Sequence, residues 1–336
     1  MRKLFNRLNR RVGIDLGSAR TRIWIQNHGL VVDEPSLIAV NQKNNKVMAV
    51  GQPAQAMQGR VGEQTKVFEP IQYPKIIDDA LLRAMLKVFF RQASQETYFF
   101  SPTMLVALPS NTYPVMREVV VDVLTELGAS EVLIVDQTLA AAIGAGVPTA
   151  DASGTFILQM GASVVEATSL SMSKIVKTCA SNQAGNDMCY ELVYWFKDHK
   201  QLKISFEIAQ NVQQQLGNFA IKEDSQLEVS GLDTKSGSLR ELTIGVQEIE
   251  EIIVGYGNHY VGLVKKMLAD IPPSLVVDIV DKGLLLSGGL AQISGLESFL
   301  TDKLDVPVCL VDDPETSVIR GVGTILDHLD EFRESI

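Results

Sequence analysis

The sequence predicts an α/β protein built from two similar halves with a cleft between them. Three observations carry this expectation: one strand–turn–strand unit that occurs twice, a third glycine-rich turn near the C-terminus, and the length. A chain of 336 residues, 46% of them apolar, suits two domains of about 150 residues better than one core.

The N-terminal segment comes first. Met1, Leu4, Phe5 and Leu8 recur at i, i+3, i+4 and i+7, one face of a helix, while Arg2, Lys3, Arg7 and Arg10 fall on the other faces. Such a segment suits a lipid headgroup layer, where each cation near anionic lipid contributes about 1 kcal/mol. The competing reading is a packed or unstructured start with incidental charge. Residues 1–11 carry +5 and the chain carries −10, which leaves −15 on the remainder. An acidic body argues against nucleic acid as a partner, and a short basic arm on it suggests an anionic surface. No run of about 18 apolar residues is free of charge, so a spanning helix is not expected. Nor does the N-terminus show a long apolar core followed by a small-residue cleavage site. The three cysteines, Cys179, Cys189 and Cys309, lack metal spacing, and the four histidines form no HxxxH pair. They read as buried small residues in a reducing cytoplasm, and a metal site of protein ligands alone is not expected.

The first hairpin follows. Val12-Gly-Ile-Asp-Leu-Gly-Ser-Ala-Arg-Thr-Arg-Ile-Trp-Ile25 reads as strand, tight turn and strand, with Gly17 and Ser18 in the turn. Its backbone N–H groups can face phosphate oxygens, and Asp15 at the end of the first strand can hold hydrated Mg²⁺. Next come a helix expected near 78–92 and a strand expected over 103–108. Between them, Tyr98-Phe-Phe-Ser-Pro102 places Phe99 and Phe100 either in the core or at a membrane-dipping tip.

The second hairpin, Thr155-Phe-Ile-Leu-Gln-Met-Gly-Ala-Ser-Val-Val-Glu-Ala-Thr168, has the same form 144 residues later, with Gly161 at the place of Gly17 and Gln159 at that of Asp15. The last turn, Gly283-Leu-Leu-Leu-Ser-Gly-Gly-Leu-Ala-Gln-Ile-Ser-Gly-Leu296, reads as a buried strand, a Gly288-Gly289 turn and a helix start. It suits either a tight βα turn or close approach to an adenine or ribose.

Together these pieces resemble the actin/Hsp70/sugar-kinase superfamily, and several stretches resemble its MreB family in particular. Val135-Asp-Gln-Thr-Leu-Ala-Ala-Ala-Ile-Gly-Ala-Gly-Val-Pro148 is similar to the family's connecting segment, EEP followed by MAAAIGAGLP. Asp313-Pro-Glu-Thr-Ser-Val-Ile-Arg-Gly-Val-Gly323 is similar to its closing motif DPLTCVARGTG. Ile271-Pro-Pro-Ser-Leu275, Glu34-Pro-Ser36 and Ala49-Val-Gly51 fit in the same order, and the resemblance spans roughly residues 12–328.

The resemblance implies an actin-like fold of two RNase H-like domains, each with a smaller inserted subdomain. Domain I is expected at 12–145 plus 315–336, with its subdomain near 34–71. Domain II is expected at 146–314, with its subdomain near 182–245. It also implies ATP or ADP with Mg²⁺ as ligand, held by Asp15, Gly17, Ser18, Ala19, Arg20, Gly161, Ala162, Ser163, Gly185, Gly288 and Gly289, with Asp15 reaching the metal through water. Head-to-tail protofilaments are implied, acting in cell shape at the inner face of the plasma membrane. Met1, Leu4, Phe5, Leu8, Phe99 and Phe100 would touch lipid, and other MreB-type or wall-synthesis proteins would be partners.

The departures from the family pattern gather at the nucleotide site. The second loop, DIGGGTT in the family, is here Gln159-Met-Gly-Ala-Ser-Val-Val165. That change removes a carboxylate and two hydroxyls and adds bulk along the phosphate path. Gln137 replaces the glutamate credited with activating water; it orients water, as actin's glutamine does, but takes up no proton. Asn186 replaces an aspartate, Leu290 replaces a glycine, and Leu202 and Ser205 fall where the family has an E-x-x-K pair on a helix. ATP turnover is therefore expected to be weak or lost, nucleotide itself is dispensable on this reading, and Val164, Val165 and Leu290 are expected to fill space by apolar burial. A non-hydrolysing paralog that co-assembles with a catalytic MreB is the alternative, and a superfamily ATPase or kinase a remoter one.

Overall fold

The computed structural model describes residues 11–62, 64–96, 101–219, 225–333 and 336. The chain forms two compact units: one of residues 1–152, 170–175 and 315–336, the other of 153–169 and 176–314.

The first unit is laid down around β1 (Arg11–Leu16), β2 (Arg20–Ile25) and β3 (Gly29–Pro35), consecutive antiparallel neighbours. A small sheet follows, made of β4 (Ile38–Asn41), β5 (Lys46–Val50) and β6 (Thr65–Phe68), with α1 (Gln52–Met57) against it. The ribbon of β7 (Ile71–Gln72) and β8 (Lys75–Ile76) leads to α2 (Asp79–Glu96). β9 (Thr103–Leu108), α3 (Pro114–Glu126), β10 (Glu131–Asp136) and α4 (Gln137–Gly144) complete the layer. The main sheet has the order β10-β9-β1-β2-β3, with β10, β9 and β1 parallel. The apolar runs Val12–Leu16 and Met104–Leu108 are buried throughout, as parallel strands covered on both faces require.

The second unit repeats the plan. β11 (Thr155–Met160), β12 (Val165–Ser171) and β13 (Lys174–Ser181) lead to α5 (Gly185–Lys200), then β14 (Leu202–Lys203), α6 (Phe206–Leu216), β15 (Gln226–Asp233) and β16 (Leu239–Gly245). α7 (Val246–Ala269), α8 (Pro273–Lys282), β17 (Leu284–Ser287), a 3-10 turn (Gly289–Gln292), α9 (Leu296–Leu304) and β18 (Val308–Leu310) follow. The sheet order β13-β12-β11-β17-β18 mirrors the first, with β11, β17 and β18 parallel, while β14, β15 and β16 form a separate sheet. Two sheets with one strand order are the duplication expected from the repeated hairpin. Phe156, Phe196 and Tyr260 anchor the second core.

α10 (Ser317–Asp327) and α11 (Leu329–Phe332) return to the first unit. α10 crosses α4 with backbone against backbone: a methyl group at Gly321 would stand 1.7 Å from the Ala140 carbonyl oxygen, and one at Gly144 would stand 1.8 Å from that of Ser317. Only glycines permit this approach. The same helix lies on the sheet, because a methyl group at Gly13 would meet Val322 at 2.4 Å. Gly13 and Asp15 alternate with Val12, Ile14 and Leu16, so Asp15 lies on the α10 face of β1.

Candidate functional site

In the first unit the turn between β1 and β2 is closed by the Gly17 N–H, which donates to the Arg20 carbonyl at 3.0 Å. It is also held from below. The Ser36 hydroxyl donates to the Gly17 carbonyl at 2.6 Å and lies 2.8 Å from the Thr21 hydroxyl, and the Tyr73 hydroxyl donates to the Leu16 carbonyl. Within this fixed turn Ala19 is exposed, while Ser18 is buried and its hydroxyl meets no protein partner. A buried, unpartnered hydroxyl beside turn N–H groups suits a phosphate oxygen.

Asp15 is not poised for a metal. It pairs across the ladder with Arg22, whose Nη1 lies 3.4 Å from its Oδ2, and both side chains are buried. Burial pushes the Asp15 carboxyl up, and the Arg22 charge and hydrogen bond partly offset that. Arg20 turns outward to Asp33, with its Nε 2.6 Å from Oδ1 and its Nη2 2.8 Å from the Asp33 carbonyl oxygen.

The connecting helix starts level with this turn. Asp15 on β1 and Val135 on β10 both pair with Ala107 on β9, so Asp136 and Gln137 come out at the same carboxyl edge of the sheet. That edge is where ligands bind open α/β sheets. Asp136 caps α4, accepting from the Thr138 N–H at 3.0 Å and the Thr138 hydroxyl at 2.7 Å. Gln137, half-buried, is the first residue of the helix.

In the second unit the turn after β11 is closed by the equivalent bond, from the Gly161 N–H to the Val164 carbonyl at 2.9 Å. Its carbonyls then engage the start of α5: Gly161 accepts from the Gly185 N–H at 3.3 Å and Ala162 from the Asn186 N–H at 2.7 Å. The helix N-terminus thus binds its own loop. Gln159 is buried with its Oε1 unpartnered, and Ser163 is half-buried. Val164, Val165 and Leu290 are buried as expected, and Val165 and Leu290 belong to the core of this unit. Gln159 lies level with Ser287 on β17, so Gly288 leaves the sheet at the same edge. Gly288 has φ +91°, and a methyl group there would stand 2.2 Å from the Met160 carbonyl oxygen, so strand packing alone demands glycine. Gly289 is exposed and opens a 3-10 turn rather than an α-helix.

One expectation is corrected. Leu202 sits in the two-residue strand β14 and Ser205 caps α6, so neither lies within a helix. Gln213 is buried and donates from its Nε2 to the Gly185 carbonyl at 3.0 Å. The capping signature Ser205-Phe-Glu-Ile, followed by an apolar face, marks where the helix begins. Arg22 was also missed; the hairpin register, which sets it opposite Asp15, is the signal for it. Met1, Leu4, Phe5, Leu8, Phe99 and Phe100 lie outside the described residues.

A family profile described as MreB/Mbl protein matches residues 9–334. The chain belongs to the MreB/Mbl family. It is 30% identical to the cell shape-determining protein Mbl of Bacillus subtilis over 324 residues, 96% of this chain and 97% of that one. It is 29% identical to the cell shape-determining protein MreB of Escherichia coli, covering 95% and 94% of the two chains. Among solved structures it resembles MreB5 of Spiroplasma citri bound to AMPPNP, with a TM-score of 0.92, 25% identity and coverage of 97% and 98%. The same protein bound to ADP matches equally well, at TM-score 0.92 and 25% identity. A MamK double helical filament shares the fold at TM-score 0.79 and 15% identity, covering 95% and 99%. The actin-like fold expected from the MreB resemblance is therefore the fold of this chain.

Against that family pattern the donor set does not fit a resident Mg²⁺. Among the described residues no three His, Cys, Asp or Glu side chains cluster as metal ligands. Asp15 is already ion-paired, and Gln159 brings no charge. The first turn still fits a phosphate through Ser18.

Proposed function

We propose that this protein is an MreB-type cytoskeletal filament subunit that acts in cell-shape determination at the inner face of the plasma membrane, with ATP turnover weakened or lost. Near-complete coverage of cell shape-determining relatives supports the first part. The filament formed by MamK and the nucleotides bound to MreB5 support self-assembly and a nucleoside-phosphate site. The observation that carries the second part is the Asp15–Arg22 pair: the carboxylate of the first turn is already occupied, and the second turn carries the uncharged Gln159 at the matching place. With Gln137 unable to accept a proton, nothing in that constellation serves as a general base.

Membrane attachment rests on the apolar face of Met1, Leu4, Phe5 and Leu8, with the neighbouring cations and with Phe99 and Phe100 as a second contact. One short helix binds weakly; an array of subunits binds by avidity. Among the described residues no helix is long and apolar enough to cross a membrane.

The test is phosphate release measured beside polymer formation. The reading expects polymers by electron microscopy in samples that release no phosphate above buffer. Polymers that turn over ATP would overturn the loss of hydrolysis. Monomers that assemble only when a catalytic MreB is added would support the co-assembling paralog instead, which the same changes at Gln137 and Gln159 allow.

A further inference from the structure

Arg22 has no counterpart in the expected nucleotide machinery, yet it is among the most buried charges of the first unit, at 6% exposure. The register across three strands explains its surroundings. Asp15 on β1 pairs with Arg22 on β2, and Arg22 pairs with Asp33 on β3, so the three side chains form one row on the α10 face of the sheet. The guanidinium reaches Asp15 Oδ2 at 3.4 Å, Asp33 Oδ1 at 3.2 Å and Glu315 Oε2, just before α10, at 3.7 Å. Asp33 is shared with Arg20. A buried aspartate and a buried arginine are each unfavourable alone and tolerable as a pair.

We propose that the Arg22 guanidinium is a built-in replacement for the divalent cation at the first phosphate turn, so that a nucleoside polyphosphate binds there independently of Mg²⁺. A divalent ion on Asp15 would share the carboxylate with a fixed positive charge and be repelled by it. The guanidinium stays charged at every physiological pH and presents several donors in a plane, suited to carboxylate and phosphate oxygens alike. Ser18, buried and unpartnered in the turn that joins β1 to β2, offers a hydroxyl to the same ligand. The second turn, in the other unit, likewise offers a metal no carboxylate, since Gln159 stands at the place that Asp15 holds in the first.

The nucleotide half of this proposal rests on the nucleoside-phosphate reading above; the cation half does not, and two measurements separate them. The first titrates the full-length protein with Mn²⁺ alone, read by the free-ion electron paramagnetic resonance signal. Wild type is expected to show no site at millimolar Mn²⁺. Arg22→Met is expected to gain one, and the double variant Asp15→Asn with Arg22→Met to lose it again. A wild-type Mn²⁺ site abolished by Asp15→Asn, or no gain in Arg22→Met, overturns the proposal. If Arg22→Met does not fold, the double variant decides: folding restored supports the pairing, and folding still lost contradicts it. The second measures binding of a fluorescent ATP analogue to wild type with Mg²⁺ or with EDTA. Equal affinity within about twofold supports the proposal, and a loss of about tenfold or more in EDTA overturns it. No binding in either buffer refutes the nucleotide half and the nucleoside-phosphate reading, while the Mn²⁺ result still decides the role of Arg22.

Discussion

Single side chains set what the two turns can hold. Asp136 does so through the backbone: its carboxylate satisfies the first turn of α4 and thereby fixes Gln137 at the sheet edge. Burial pushes the Asp136 carboxyl up, while the Thr138 hydrogen bonds pull it down. Asp136→Ala should cost about 1 kcal/mol, the usual loss for a capping side chain. Urea unfolding should show it, and Asp136→Asn should recover most of it. A surface carboxylate behaves oppositely. Asp233 accepts backbone N–H groups of Ser236 and Lys235 and a bond from Arg240, which hold its pKa down to about 2 from 3.8. A lowered carboxylate stabilises the fold fully above its unfolded value and loses that contribution as pH falls through its folded value. Asp233→Asn should therefore flatten the acid limb of thermal melts between pH 3.8 and about 2, lowering the melting temperature at pH 7 and leaving it little changed below about pH 2. At this scale the sequence was only partly legible. Asp15, Gly17 and Ser18 stand out as letters, but Arg22 gains its meaning from cross-strand register, which no local motif spells.

The elements were easier to read. Both hairpins, the strand at 103–108 and the buried strand before Gly288 lie where alternation and apolar runs put them, because each is fixed by local periodicity and a glycine turn. The helix expected near 78–92 extends to Glu96, as nothing in its last turn stops it. The E-x-x-K placement failed for another reason: β14 and the Ser205 cap intervene, and spacing alone does not show where α6 begins. The crossing of α4 and α10 shows how an element-level contact is written in two glycines far apart in sequence. Gly321→Ala puts a methyl group 1.7 Å from the Ala140 carbonyl, so the helices must separate. The expected loss is about 3 kcal/mol, at the upper end for overpacking, visible as a lower urea midpoint. Gly289→Ala, at an exposed position with ordinary backbone geometry, should change the midpoint little.

At the scale of the whole molecule, the duplicated sheet and the ordered run of family motifs make the architecture legible in the sequence, because two copies of one topology leave two copies of one pattern. The departures at the two turns from the family pattern were legible only as substitutions. The structure gives their physical sense: an internal cation at Asp15, a loop that caps its own helix at Gly161 and Ala162, and apolar filling by Val165 and Leu290. The proposed lipid binding belongs to this scale too, since one short helix binds weakly and an array of copies binds by avidity. Removing residues 1–10, which stops short of β1, should abolish co-pelleting with anionic vesicles and leave the melting temperature of the body unchanged. Unchanged pelleting would move the contact elsewhere.

The most direct measurement of the central claim is sedimentation of the full-length protein on anionic vesicles, with Mg·ATP and without nucleotide, at matched salt. A filament subunit whose site no longer runs a Mg²⁺-dependent ATP cycle should pellet to the same extent in both samples. Pelleting that appears only with Mg·ATP would contradict the account, and would mean that Asp15 still serves a metal despite Arg22.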